Sequence, residues 1–163
     1  MKKRIRTLIA ALLIFAVCAS LCGCLGSYES TKKLTSYYTQ SPVKAARFYQ
    51  QYYEDEQYVY RADELDPSQL PALTEKLDSM ALTHHGFHTD YYWGGRFGLE
   101  LEFEDGTFMT YDGTKAEYRS KSMLDGGDDS ANRLSSDFLE VTNMSFSEEL
   151  GKFFEAAKDR PEY

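Results

Sequence analysis

Between Phe97 and Phe103 the chain alternates strictly: Phe97, Leu99, Leu101 and Phe103 are apolar, and Gly98, Glu100 and Glu102 are not. A period of two lets a strand bury the apolar set on one face, which no helix could do. Asp105-Gly106 follows at once and is a strong hairpin signal that sets Phe103 opposite Phe108. Asp112-Gly113, with Thr114 as a third loop residue, turns the chain again and pairs Phe108 with Tyr118. The run 87–119 therefore predicts an antiparallel meander of about four strands, with one core face and one wet face.

The flanking segments read as helices and further strands. Ser41-Pro42 has the form of an N-cap followed by a first-turn proline, and Ala45, Phe48, Tyr49 and Tyr52 recur at helical spacing. Gln57 to Arg61 reads as a strand. Asp66-Pro67 opens a second helical segment, with the main helix starting at Pro71 and Leu73, Leu77 and Met80 as its buried stripe. Lys121 to Ser136 reads as loop and Phe138 to Thr142 as a short strand. Ser145 and Glu148 form a capping box for a C-terminal helix with the stripe Phe146, Leu150, Phe153 and Phe154. The expected fold is α+β: an antiparallel β-meander of about 4–5 strands with two or three helices packed on one face.

The first 24 residues carry an address. Lys2, Lys3, Arg4 and Arg6 precede an uncharged apolar run from Leu8 to Leu21, the order of a secretory signal. Leu21-Cys22-Gly23-Cys24 closes it and resembles the lipobox of bacterial lipoproteins. The resemblance implies a signal peptide over 1–23, cleavage before Cys24 and diacylation of Cys24 with palmitate-type chains. It also implies a lipid anchor in the cell membrane, on its outer, extracytoplasmic face. An uncleaved signal anchor would leave residues 27–163 on the same side. Residues 24–40 read as the lipidated N-terminus and a tether, partly helical around Lys32–Tyr38; residues 41–157 read as a single domain and 158–163 as a tail. In outline the whole resembles the small, uncharacterised α+β lipoprotein domains of Gram-positive cell surfaces.

Charge and cysteine content narrow the functional classes. Without residues 1–23 the chain carries 14 basic against 26 acidic side chains, a formal charge of −12. Such a balance argues against nucleic acid as a partner and against adhesion to anionic lipid headgroups. Cys18 and Cys22 leave with the signal and Cys24 is the lipidation site. The mature domain then has no disulfide, no cysteine nucleophile and no cysteine zinc site, so packing alone holds it.

Two patches could carry chemistry. His84, His85 and His88, with Asp90 and Glu100, are the candidate ligands of a divalent transition metal such as Zn²⁺, Cu²⁺ or Ni²⁺. A hairpin through Trp93-Gly94-Gly95 would pair Phe87 with Leu101 and set His88 opposite Glu100 on the wet face. Tyr92 and Trp93 at that hairpin's tip form a candidate binding surface for a cell-wall glycan or a protein partner. No GxSxG elbow, P-loop or cysteine nucleophile is present, so the sequence points away from an enzyme. The expectation is a non-catalytic extracytoplasmic binding module without a resident cofactor, with metal binding the alternative and a wall-active hydrolase third.

Overall fold

The computed structural model describes residues 27–30, 33–38, 41–85, 97–127 and 130–158. Their fold is mostly β, one antiparallel sheet of eight strands with few helices, so it has more strands than the sequence suggests. The strands are β1 (Ser27–Ser30), β2 (Val43–Glu54), β3 (Gln57–Glu64), β4 (Leu82–His85), β5 (Phe97–Phe103), β6 (Phe108–Tyr111), β7 (Lys115–Arg119) and β8 (Arg133–Val141). Their spatial order is β1-β4-β8-β7-β6-β5-β2-β3. The helices are α1 (Leu70–Asp78) and α2 (Phe146–Leu150), with short 3₁₀ turns at Leu34–Tyr37, Pro67–Gln69, Ser130–Asn132 and Glu155–Ala157.

The largest departure is residues 43–54, where the sequence predicts a helix and the chain forms β2. The reason is burial on both sides. Ala46 and Phe48 point to one face of the sheet and Tyr49 and Gln51 to the other, and all four are buried. Apolar spacing then fits three-and-four as well as two, and Val, Phe and Tyr favour the pleated surface. Asp55 and Glu56, at φ 49° and 64°, make the tight turn into β3, with Glu54 opposite Gln57. Two positive-φ residues match the right-handed twist of a hairpin. Ser41 and Pro42 cap no helix; they accept hydrogen bonds from the Asp105 and Glu104 amides at the neighbouring turn.

The meander exists, but its register differs by one residue. Leu101 faces Met109 and Glu102 faces Phe108, so Phe103 is not opposite Phe108. The turn holds three residues instead of two: the Phe103 amide bonds the Thr107 carbonyl, and Gly106 sits at φ 81°. Asp105 decides this by accepting from both the Thr107 amide and hydroxyl (2.9 and 2.6 Å), which tightens the loop around its own carboxylate. The next turn pairs Met109, not Phe108, with Tyr118. Phe108 therefore leaves the core face.

The helical expectations from Asp66 onward agree with the structure in position, but the C-terminal helix ends at Leu150, so Phe153 and Phe154 of its expected stripe lie beyond it. Asp66 caps a separate short turn through the Ser68 amide, and α1 begins at Leu70 with Pro71 in its first turn. Leu73, Leu77 and Met80 are buried. Ser145 caps α2 by accepting from the Glu148 amide, and Phe146, Leu150 and Phe154 are buried as expected. These side chains join Phe48, Leu99, Leu101, Phe103, Met109 and Tyr111 in one core cluster. Tyr111 packs edge-on to Phe146, with ring centres 5.0 Å apart, and donates its hydroxyl to the Leu139 carbonyl.

Two segments expected to be irregular are built into the fold. The stretch read as a tether supplies β1, paired with β4, and a 3₁₀ turn whose Leu34 is fully buried. β8 begins at Arg133 and runs between β7 and β4, inside the stretch read as loop.

A methyl group at Gly98 would lie 2.5 Å from the Tyr111 carbonyl oxygen, whereas Gly106 has open space but a positive φ. Gly98→Ala is expected to lose about 2–3 kcal/mol, as overpacking does, and Gly106→Ala about 1 kcal/mol from backbone strain alone. Urea denaturation of both variants checks the order.

Candidate functional site

The face of the sheet expected to be wet is closed. Glu100 is 1% exposed, Thr110 3%, Arg119 3% and Glu117 9%. Strand register sets Glu64, Arg47, Glu100, Thr110, Glu117 and Ser136 side by side across six strands. Opposite charges on neighbouring strands can then neutralise one another without water. Arg47 reaches Glu100 at 3.2 Å and Glu102 at 2.6 Å, with Glu64 at 3.8 Å. Glu117 is held by Lys115, by Arg119 at 2.5 Å and by Arg133 at 3.3 Å.

The segment after β7 folds over this row. Ser122 and Met123 are buried. The Ser122 hydroxyl donates to one Glu100 oxygen at 2.9 Å and the Met123 amide to the other at 2.8 Å. Ser122 Oγ in turn accepts from the Leu124 amide. Glu100 thus holds the strap down with both oxygens. Burial pushes its carboxyl above the ordinary range, and the Ser122 and Met123 hydrogen bonds and the Arg47 charge only partly offset that. Glu117 is the opposite case. Burial pushes it up, but hydrogen bonds and charge from Lys115 and Arg119 prevail and hold it at about 2. Two carboxylates in one row are thereby driven apart in acidity by their partners. The buried Tyr49 hydroxyl faces this field too and is raised well above its ordinary value, first by burial and then by Asp112.

A second feature lies at the end of the sheet where the β5–β6 turn meets the start of β8. Tyr37, Tyr38, Phe103, Tyr118 and Leu134 wall a cleft of about 310 Å³, and Ser41, Asp105, Thr107 and Ser135 complete its lining. The rings of Tyr38, Phe103 and Tyr118 form a file with centres 5.5 and 6.4 Å apart. The Tyr118 hydroxyl donates to the Tyr37 carbonyl, which ties the 3₁₀ turn to the sheet. The buried Tyr38 hydroxyl has no hydrogen-bond partner among the described residues. Leu134 is 62% exposed at the mouth.

The candidates read from sequence are dispersed. Glu100 has Arg47 and Thr110 as its neighbours, because both edges of β5 are taken by β2 and β6. The expected cross-strand pairing of Glu100 with His88 is therefore not formed. His84 and His85 are consecutive on β4 and project to opposite faces. His84 lies 3.9 Å from Asp137, and His85 lies 2.9 Å from Glu140. Among the described residues no group of three His, Cys, Asp or Glu could hold a metal ion. Cys24, His88, Asp90, Tyr92 and Trp93 lie outside the described residues.

Sequence reasoning missed Arg47, Ser122 and the cleft tyrosines. Arg47 sits in the segment taken for a helix, and Ser122 in one taken for plain loop. Tyr118 was visible as an inward strand residue, but its place in a cleft depends on the 3₁₀ turn at Leu34–Tyr37. Comparison with protein-family models, curated proteins and solved structures found no match to this chain.

Glu100→Ala leaves Arg47, the Ser122 hydroxyl and the Met123 amide without their acceptor, and is expected to lose about 3 kcal/mol. Glu100→Gln keeps the shape and is expected to lose about 1 kcal/mol. Glu117 has a folded-state value below its ordinary 4.5, so its contribution is complete above pH 4.5 and disappears as pH falls toward 2. Denaturation midpoints between pH 6 and pH 2 are expected to fall less steeply in Glu117→Gln, by roughly 1–2 kcal/mol after solvent screening.

Proposed function

We propose that this chain is a lipid-anchored extracytoplasmic protein whose domain binds a ligand without transforming it. The address rests on the signal grammar and on Leu21-Cys22-Gly23-Cys24. The binding role rests on one observation, the cleft walled by Tyr37, Tyr38, Phe103 and Tyr118. Aromatic walls with polar atoms at the rim give a ligand both apolar contact and orientation. The charged row on the opposite face supports the same reading in a different way. Its carboxylates are spent on Arg47, Arg119, Lys115 and the strap amide, which makes the row a structural element holding the sheet that carries the cleft.

The helices complete the architecture on the core side. α1 and α2 contribute Leu73, Leu77, Phe146 and Leu150 to the cluster that contains Phe103, and Phe103 is also a wall of the cleft. A rigid floor of this kind suits recognition.

Radiolabelled palmitate is expected to enter the wild-type chain and not Cys24→Ser; equal labelling of the two would remove the anchor. For the cleft, amide NMR spectra with wall glycan fragments, peptides and lipids are expected to show shifts confined to residues around Phe103, Tyr118 and Ser135. Tyr118→Ala should weaken that binding at least tenfold while leaving the fold intact. Shifts spread over the far strands, or binding indifferent to Tyr118→Ala, would falsify the assignment of the cleft.

A further inference from the structure

We infer that the cleft end of the sheet rests in the headgroup layer of the membrane, and that the cleft takes membrane phospholipid. The inference builds on the lipid-anchor reading and names the ligand of that same site. It follows from how little chain separates Cys24 from the first strand. β1 starts at Ser27, and its residues pair with β4 through the register Ser27–His85. Three residues reach at most about 11 Å even when fully extended. A lipidated Cys24 therefore keeps the bilayer surface within that distance of Ser27.

Register shows which part of the domain meets that surface. Ser27 lies in a row with His85 and Phe138, and β1 and β8 run in the same direction on either side of β4. Chain leaving the start of β1 therefore leaves at the end of the sheet where β8 starts. Phe138 is two strand spacings from Ser27, about 10 Å away. Leu134 lies four residues further back along β8, about 13 Å at a strand's rise. Leu134 and the start of β1 therefore lie at the same end of the sheet. A bilayer held within about 11 Å of Ser27 is the surface that this end, and the mouth of the cleft, meets.

The chemistry at that end suits lipid. Leu134 is the most exposed large aliphatic side chain among the described residues, and it stands at the cleft mouth. Tyr37 and Tyr118 beside it are of the type that settles at membrane–water boundaries, with an apolar body and a polar tip. The unpartnered Tyr38 hydroxyl supplies a donor inside the wall.

The test uses the full lipidated protein purified from bacterial membranes and placed in zwitterionic phosphatidylcholine–phosphatidylethanolamine vesicles containing brominated phospholipid. Single cysteines at Leu134→Cys and Thr142→Cys carry a fluorophore; both positions are exposed, and they lie at opposite ends of one strand, about 26 Å apart. Emission from position 134 is expected to fall at least twofold on brominated vesicles and emission from 142 to stay within a tenth of its value. Equal quenching at the two would mean that the sheet lies on its side and would overturn the proposal. No quenching at either, in protein shown by mass spectrometry to carry the diacyl group, would also overturn it while leaving the anchor standing. Protein without the diacyl group would overturn both. Adding Tyr118→Ala to the labelled Leu134→Cys protein separates contact from occupancy. Recovery of emission at 134 is expected if phospholipid enters the cleft, and unchanged quenching would reduce the site to surface contact.

Discussion

The carboxylate of Glu100 closes the second face of this sheet, and much of the structure depends on it. An eight-stranded antiparallel sheet with one apolar cluster needs something to cover its other side or a surface polar enough to be left wet. Here the covering is a strap through Ser122 and Met123, which contributes little apolar area and is held by hydrogen bonds to a buried anion. Such an anion is tolerated only because Arg47 stands directly across the strand pair and the strap itself supplies two donors. Burial still dominates and holds the Glu100 carboxyl above its ordinary pKa, so that compensation is partial. Glu117, two strands away with three basic partners, shows the opposite balance in the same row.

This arrangement explains where the sequence is legible. Segments with one buried face read correctly: α1 and the α2 cap each follow the period of their own burial. Segments buried on two faces do not. In β2 the tyrosines, phenylalanine and glutamine fill both sides, so a helical spacing is as good a description of the letters as an extended one. Glu100 misleads for the same reason. A glutamate between two leucines reads as solvated, and nothing local reveals the arginine 53 residues away that allows it inside.

Turn chemistry accounts for the register. Asp105-Gly106 marks the hairpin correctly, but a two-residue and a three-residue loop share that dipeptide, and the choice falls to Asp105 bonding Thr107. One residue of difference moves every side chain of β6 to the other face. That shift brings Met109 and Tyr111 into the core and puts Thr110 into the polar row beside Glu100. The expected cross-strand pairing of His88 with Glu100 differs at the same level. It required a strand next to β5, and β2, hidden as a helix in the sequence, occupies that edge.

Under the lipid-anchor proposal, the incorporation of residues 27–30 and 33–38 into the fold links anchor to cleft. A segment left free would let the domain stand off from the bilayer in any orientation. Pairing β1 with β4 and burying Leu34 removes most of that freedom, because each backbone bond shortens the slack between lipid and sheet. The same segment then builds the cleft: Tyr37 and Tyr38 follow directly on Leu34 and close over Phe103 and Tyr118. Under that proposal the segments 27–30 and 33–38 set both the distance of the domain from the membrane and the shape of its binding wall. Lengthening the chain between Cys24 and Ser27 would change the first without touching the second, so orientation and affinity are separable properties of this molecule.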